Sequence, residues 1–143
     1  MDNKTVIDTL NSLLAVEYSN PLGRLRETGV FVSIGSSADR AAVNRLLSEI
    51  ALHEKRLADA ILARRGTPVQ RRIDISTGGF HYLTLESFMP TIMKSIRTLV
   101  RAYENAGATG DDAADSMIGT HLSTYQKMLE TFERMHAHLV AAK

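Results

Sequence analysis

Four residues of this 143-residue chain combine the right chemistry and spacing to bind a metal ion or to form a buried hydrogen-bond network: Glu17, Glu49, His53 and His121. Glu49 and His53 are separated by one helical turn, so both side chains lie on the same face of a helix. Helix bundles hold metal ions and internal polar networks with such pairs. Because the chain contains no cysteine, any metal must be bound by histidines and carboxylates.

Amphipathic helices must position these residues. Apolar side chains recur at the helical period in four segments, from about Asn3 to Thr28, Ser37 to Gly66, Thr84 to Asn105 and Asp112 to Val140. The first segment contains Pro21, which predicts a kink or a break there. Glu17, His53 and His121 lie near the centres of three apolar stripes, and Glu49 lies at the edge of one. The pattern therefore predicts a polar cluster inside a bundle.

A long segment, Thr67 to Leu83, separates the second and third helices and has no helical period. About 17 residues at ~3.3 Å each reach roughly 55 Å, which exceeds the ~40 Å length of a 26-residue helix. The segment can therefore cross the whole bundle. We predict an all-α antiparallel four-helix bundle, residues 1–143 forming one domain, with a crossover between helices 2 and 3. All four candidate residues then fall near the middle of the bundle.

Charge and hydropathy exclude several classes of partner. Lys and Arg total 17 and Asp and Glu total 16, so no excess charge indicates binding to nucleic acid or to a membrane surface. No stretch approaches the roughly 18 apolar residues of a membrane-spanning helix, and the N-terminus does not resemble a secretory signal. The sequence predicts a soluble, cytoplasmic protein with neither nucleic-acid nor membrane partners.

The combination of long antiparallel helices, a crossing connection and inward Glu and His residues resembles the ferritin-like superfamily, including bacterioferritins and rubrerythrins. That resemblance implies two metals bound by one Glu on each of two helices and a Glu-x-x-His motif on each of the others. Glu17 matches the first-helix glutamate and His53 the second-helix histidine. Ile50 and Ile118 occupy the positions three residues before His53 and His121, where the family has glutamates. Glu49 is a candidate substitute for one of them.

The third helix lacks a glutamate at the expected level. Glu86 lies in its first turn, far from the middle of the bundle, whereas Arg97 lies near that level. A cation there would oppose metal binding and favour a salt bridge to Glu17 or Glu49. The literal motif Glu133-x-x-His136 lies toward the flank of the fourth helix, where a solvated face is expected.

Two functions follow from these residues. In the first, the bundle is a non-enzymatic or degenerate ferritin-like protein with a buried Glu/His network, acting through its surface; the apolar residues at positions 50 and 118 favour it. In the alternative, Glu17, Glu49, His53 and His121 bind iron, manganese or zinc in an oxidoreductase or metal-handling protein. Whether the chain is an enzyme is left open. The apolar stretch at residues 29–36 predicts hydrophobic surface that a symmetric homodimer would cover.

Overall fold

The computed structural model describes residues 3–22, 37–71 and 85–141, without the side chains of residues 37 and 85–87. Helices account for 86% of the described residues, and none of these residues lies in a strand. The structure confirms the predicted all-α bundle. In chain order the helices are α1 (Asn3–Ser19), α2 (Ser37–Ala63), α3 (Leu85–Ala106) and α4 (Asp112–Ala141).

Helix α1 ends at Ser19, before Pro21, as the sequence predicted. The side chain of Asn20 secures this end, because its amide donates to the Ser95 carbonyl on α3 at 3.1 Å and its oxygen accepts from the Leu22 N–H at 3.0 Å. The end of α1 is thereby fixed to the middle of α3. The predicted continuation to Thr28 lies outside the described residues.

Helix α2 ends at Ala63, and the left-handed residue that follows it is not a glycine. The left-handed residue is Arg65, with φ of 63°, and the Gly66 N–H donates to the Ile61 carbonyl at 2.9 Å. Gly66 serves a different purpose, since a Cβ there would lie 2.8 Å from Cγ2 of Ile7 and 2.9 Å from Cγ2 of Ile61. Glycine at this position allows the chain to pass close to α1.

Contacts at one end of the bundle establish its topology. The Asn3 side chain donates to the Arg64 carbonyl at 3.0 Å, so the start of α1 lies at the end of α2. The Arg64 guanidinium also pairs with Asp111 at 2.8 Å, which places the α3–α4 turn at this same end. Helices α2 and α3 therefore run in the same direction. The start of α3 therefore lies at the opposite end of the bundle from the end of α2, which is what the predicted crossover requires.

The first residues of that connection pack along α1. Asn11 donates to the Thr67 carbonyl at 3.1 Å and accepts from the Val69 N–H at 2.9 Å. Arg71 lies 3.6 Å from Glu54 and 5.6 Å from the ring centre of Tyr18. These contacts direct the chain back along the bundle from the end of α2.

Helices α1 and α4 each pack against both α2 and α3, and the core lies between these four helices. The apolar residues that recur at the helical period on α2 face the core: Val43, Leu46, Ile50, Leu57 and Ile61 are buried, and Ala60 is half-buried. On α4, Leu129, Met135 and Leu139 are half-buried and pack against the core. Helical periodicity therefore identified the core correctly. None of the described helices is both long and apolar enough to cross a membrane.

Candidate metal centre

Glu17 on α1 is fully buried, and two tyrosines donate hydrogen bonds to its carboxylate. The Tyr125 hydroxyl on α4 lies 2.7 and 2.8 Å from its two oxygens, and the Tyr103 hydroxyl on α3 lies 2.8 Å from Oε2. Burial, together with the Glu17 charge, raises the pKa of both tyrosines far above the usual value, so both stay protonated and donate. The carboxylate is thus held by helices α3 and α4.

Helical periodicity places both tyrosines on apolar faces but assigns no role to their hydroxyls. A buried tyrosine hydroxyl normally requires a hydrogen-bond partner. This requirement was the sequence signal for the two hydrogen bonds, because Glu17 is an acceptor on an inward face. What periodicity could not supply was which of the inward polar groups each hydroxyl reaches.

Tyr103 also fixes the tautomer of His121 on α4. Its hydroxyl lies 3.1 Å from Nδ1 of His121, and its single proton is directed to Glu17. The hydroxyl oxygen can therefore only accept from His121, which requires the proton on Nδ1. In the neutral ring the lone pair is then on Nε2. This nitrogen is buried and has no hydrogen-bond partner among the described residues.

His53 on α2 is also fully buried. Its Nδ1 lies 3.7 Å from Glu17 Oε2, and its Nε2 lies 3.5 Å from Glu49 Oε2. Both nitrogens are without a hydrogen-bond partner in the described part of the chain, because these approaches do not meet hydrogen-bond geometry. Burial and the Arg56 charge lower the pKa of His53 to about 4, so at neutral pH it is uncharged and forms no ion pair.

The two imidazole rings stack on each other. Their centroids are 3.7 Å apart and their planes differ by 13°. Burial, with smaller contributions from His53 and Arg56, lowers the pKa of His121 to about 3. Two positive rings could not remain in this contact, whereas two neutral rings can. The cluster at neutral pH therefore consists of neutral imidazoles beside a hydrogen-bonded carboxyl group.

Glu17, His53 and His121 each offer one ligand atom, and these three atoms lie within 4.8 Å of one another. Bonds of roughly 2.0–2.2 Å to a transition metal place neighbouring ligand atoms ~3–3.5 Å apart, so the three atoms are close enough to bind one ion once one of the two imidazole rings rotates. Glu49 flanks this group at the rim, with its side chain 27% exposed. The structure thus brings together three of the four predicted ligands and places the fourth beside them.

No protein-family model matches the sequence, and a search of curated proteins finds no match. Among solved structures, the crystal structure of Dps from Staphylococcus aureus is similar to this chain, with a TM-score of 0.72. The similarity covers 92% of this chain and 94% of that protein, at 18% sequence identity. The fold is ferritin-like. At this identity the likeness establishes the architecture alone.

The dinuclear site that a ferritin-like fold implies does not fit the described residues. Ile50 and Ile118 occupy the positions of the bridging glutamates and are buried apolar side chains. Glu54, a buried carboxylate that the sequence analysis missed, lies beside Arg71 on the other flank of α2. One metal ion fits the donor set of Glu17, His53 and His121, whereas a pair of ions has too few carboxylates among these residues.

Arg97 does not join the buried cluster, so it does not form the salt bridge to Glu17 or Glu49 that its level on α3 favoured. Arg97 is exposed, because its position on α3 lies outside the apolar stripe that faces the core. The side chain of Glu86 lies outside the described part of the structure. Glu133 is exposed, as expected for a solvated face, and His136 is half-buried with an unpartnered Nδ1.

Proposed function

We propose that this ferritin-like bundle binds a single divalent transition-metal ion through Glu17, His53 and His121. The observation that carries the proposal is the set of buried imidazole nitrogens, Nε2 of His121 and both nitrogens of His53, without hydrogen-bond partners among the described residues. Buried polar atoms are almost always satisfied, and an unsatisfied one costs ~1–3 kcal/mol. A bound cation would use these lone pairs.

The donor set supports iron, manganese or zinc. Two neutral imidazoles and one carboxylate suit each of these ions, and the three ligands leave coordination positions open. When bound, such an ion supplies a Lewis-acidic centre for a water molecule or a small ligand. The chain's own residues prepare the site: two tyrosines orient Glu17, and Tyr103 directs the lone pair of His121 to Nε2.

A second candidate function is a metal-free polar network in a bundle that acts through its surface. The stacking of His53 on His121 supports it, because lone pairs in two nearly parallel planes do not converge on one point. Binding one ion would require at least one ring to rotate. The apolar residues at positions 50 and 118 support the same candidate, since they remove the carboxylates of a metal pair.

Metal analysis of protein purified without chelator distinguishes the two candidates. We expect about one ion per chain, measured by mass spectrometry, with loss of that ion in His53→Ala and in His121→Ala. His136→Ala is the matched control, because it removes another histidine of α4 with an unpartnered nitrogen but lies outside the cluster. It should retain the metal.

Cobalt titration of the chelator-treated protein provides a second readout. Visible absorption bands typical of nitrogen and oxygen ligation should saturate at one equivalent in the wild type and be absent in Glu17→Gln. The proposal would be overturned if the wild-type protein is purified without metal and binds no cobalt, and if the variants differ from it only in a lower melting temperature. The metal-free polar network would then be the remaining candidate.

A further inference from the structure

A groove of about 510 Å³ lies between the first half of α2 and the second half of α4. The His53–His121 stack sets the register of these antiparallel helices, so Arg45 lies at the level of Lys127 and Met128, and Ala42 lies at the level of Phe132. Glu49 lines the end of the groove that is nearest the buried cluster. The groove is therefore a separate cavity whose inner end touches the rim of the candidate metal centre.

The chemistry of the lining is amphipathic. Arg45 and Lys127 are exposed cations, one on each helix, and neither forms an ion pair with any described residue. Met128 and Phe132 form an apolar floor and are almost completely buried. Paired cations above an apolar floor match a ligand with an anionic head and an apolar body.

We propose that this groove binds a small organic carboxylate with an apolar tail. The carboxylate lies between Arg45 and Lys127, where both cations attract it. The tail lies along Phe132 and Ala42, away from the candidate metal centre. The Glu49 carboxylate at the opposite end repels the anionic head and fixes this orientation. The inference concerns a second site and does not require a bound metal.

Calorimetric titration with octanoate tests the proposal on the full-length, chelator-treated protein. We expect saturable binding with one octanoate per chain. Octan-1-ol, which has the same tail without the charge, should bind at least about tenfold more weakly, as should inorganic phosphate, which has charge without a tail. Equal binding of the alcohol would show an apolar groove without charge recognition and would overturn the proposal.

Charge reversal assigns the binding to this groove. Arg45→Glu with Lys127→Glu should weaken octanoate binding at least about tenfold, since two exposed attractions become repulsions. Arg97→Glu reverses an exposed cation on α3 and should change nothing. His53→Ala should also retain octanoate, which separates failure of this proposal from failure of the metal site.

Sedimentation of the same samples tests whether a second copy of the chain, rather than a small ligand, occupies the groove. Octanoate binding without a change in mass supports a ligand groove. A dimer that the double reversal dissociates, combined with no octanoate binding to the wild type, would show that the groove is a subunit interface and would overturn the proposal.

Discussion

The hydroxyl of Tyr125 lies 2.7 Å from one oxygen of Glu17 and 2.8 Å from the other, joining residues 108 positions apart in the chain. A buried carboxylate is costly unless its oxygens are hydrogen-bonded. Tyr125 and Tyr103 meet that requirement from two different helices. The cluster therefore couples the stability of the bundle to the position of the Glu17 carboxylate.

Replacing Tyr125 with Phe should destabilise the protein by about 1.5–3 kcal/mol, the range for a hydrogen bond to a charged group. Urea unfolding followed by circular dichroism measures the change. Tyr18→Phe is the matched control, because the Tyr18 ring is half-buried and its hydroxyl has no hydrogen bond among the described residues. Equal losses in the two variants would contradict the role assigned to Tyr125.

The free energy of unfolding of the chelator-treated, metal-free protein should fall as the pH decreases below 6.5. The folded-state pKa values of about 4 for His53 and about 3 for His121 lie below the ordinary value of 6.5, so the unfolded chain binds protons that the folded chain does not. This contribution to the free energy of unfolding is fully present above pH 6.5. It decreases as the pH falls from 6.5 towards the two folded-state pKa values, by up to ~1.4 kcal/mol per pH unit for each histidine. Glu17 and Glu49 lie 3.7 and 3.5 Å from His53, but burial, together with the charge of Arg56, keeps the pKa of His53 low.

Denaturant unfolding at pH 7, 6, 5 and 4.5 measures that slope. His53→Gln should reduce it by about half, because one of the two suppressed protonations is removed. His136→Ala, which leaves both rings in place, should keep the wild-type slope. Stability that is constant between pH 6.5 and 4.5 would show that the buried rings do not titrate as described. The lowered pKa values of Asp111 and Asp115 act only below their usual value of 3.8.

Gly66→Ala should destabilise the bundle by about 1–3 kcal/mol, the usual cost of overpacking. The added methyl would lie 2.8 Å from Ile7 Cγ2 and 2.9 Å from Ile61 Cγ2, both close to their own backbones and unable to move away easily. Gly119→Ala serves as the control, because nothing lies within 4 Å of its Cβ position. Within α4 this second change should stabilise by up to about 1 kcal/mol. Thermal melting compares the two variants directly.

Restoring the missing carboxylates should convert the site from one metal to two. The double variant Ile50→Glu, Ile118→Glu places acids three residues before His53 and His121, and in chelator it should be destabilised by several kcal/mol because buried charges lack partners. Added Mn²⁺ or Zn²⁺ should recover stability, with about two ions per chain. Ile92→Glu, a buried charge on α3, should lose stability without metal-dependent recovery. A double variant that metal cannot rescue would argue against any metal at this position.

Self-association stays a prediction of the sequence. We expect a homodimer in sedimentation experiments at micromolar concentration, because symmetric pairing is the commonest way to cover residual apolar surface. The apolar stretch at residues 29–36 that motivates it lies outside the described residues. A monomeric mass across this concentration range would contradict the prediction.

The sequence by itself determined the helices and their inward faces. Hydrophobic periodicity is a local property, since each turn repeats every 3.6 residues whatever the neighbours are. It therefore placed Glu17, His53 and His121 inside the bundle, and the length of the connection from Thr67 permitted the crossover. The break at Pro21 followed from the chemistry of one residue.

Tertiary structure alone decided what each inward group meets. Periodicity assigns a residue to a face but not to a partner, so it could not show that Tyr103 and Tyr125 hold Glu17 or that His53 stacks on His121. The outward position of Arg97 and the close approach of Gly66 to Ile7 are decided in the same way. These outcomes depend on the relative rotation and level of helices that are distant in sequence, and packing of the whole core sets both.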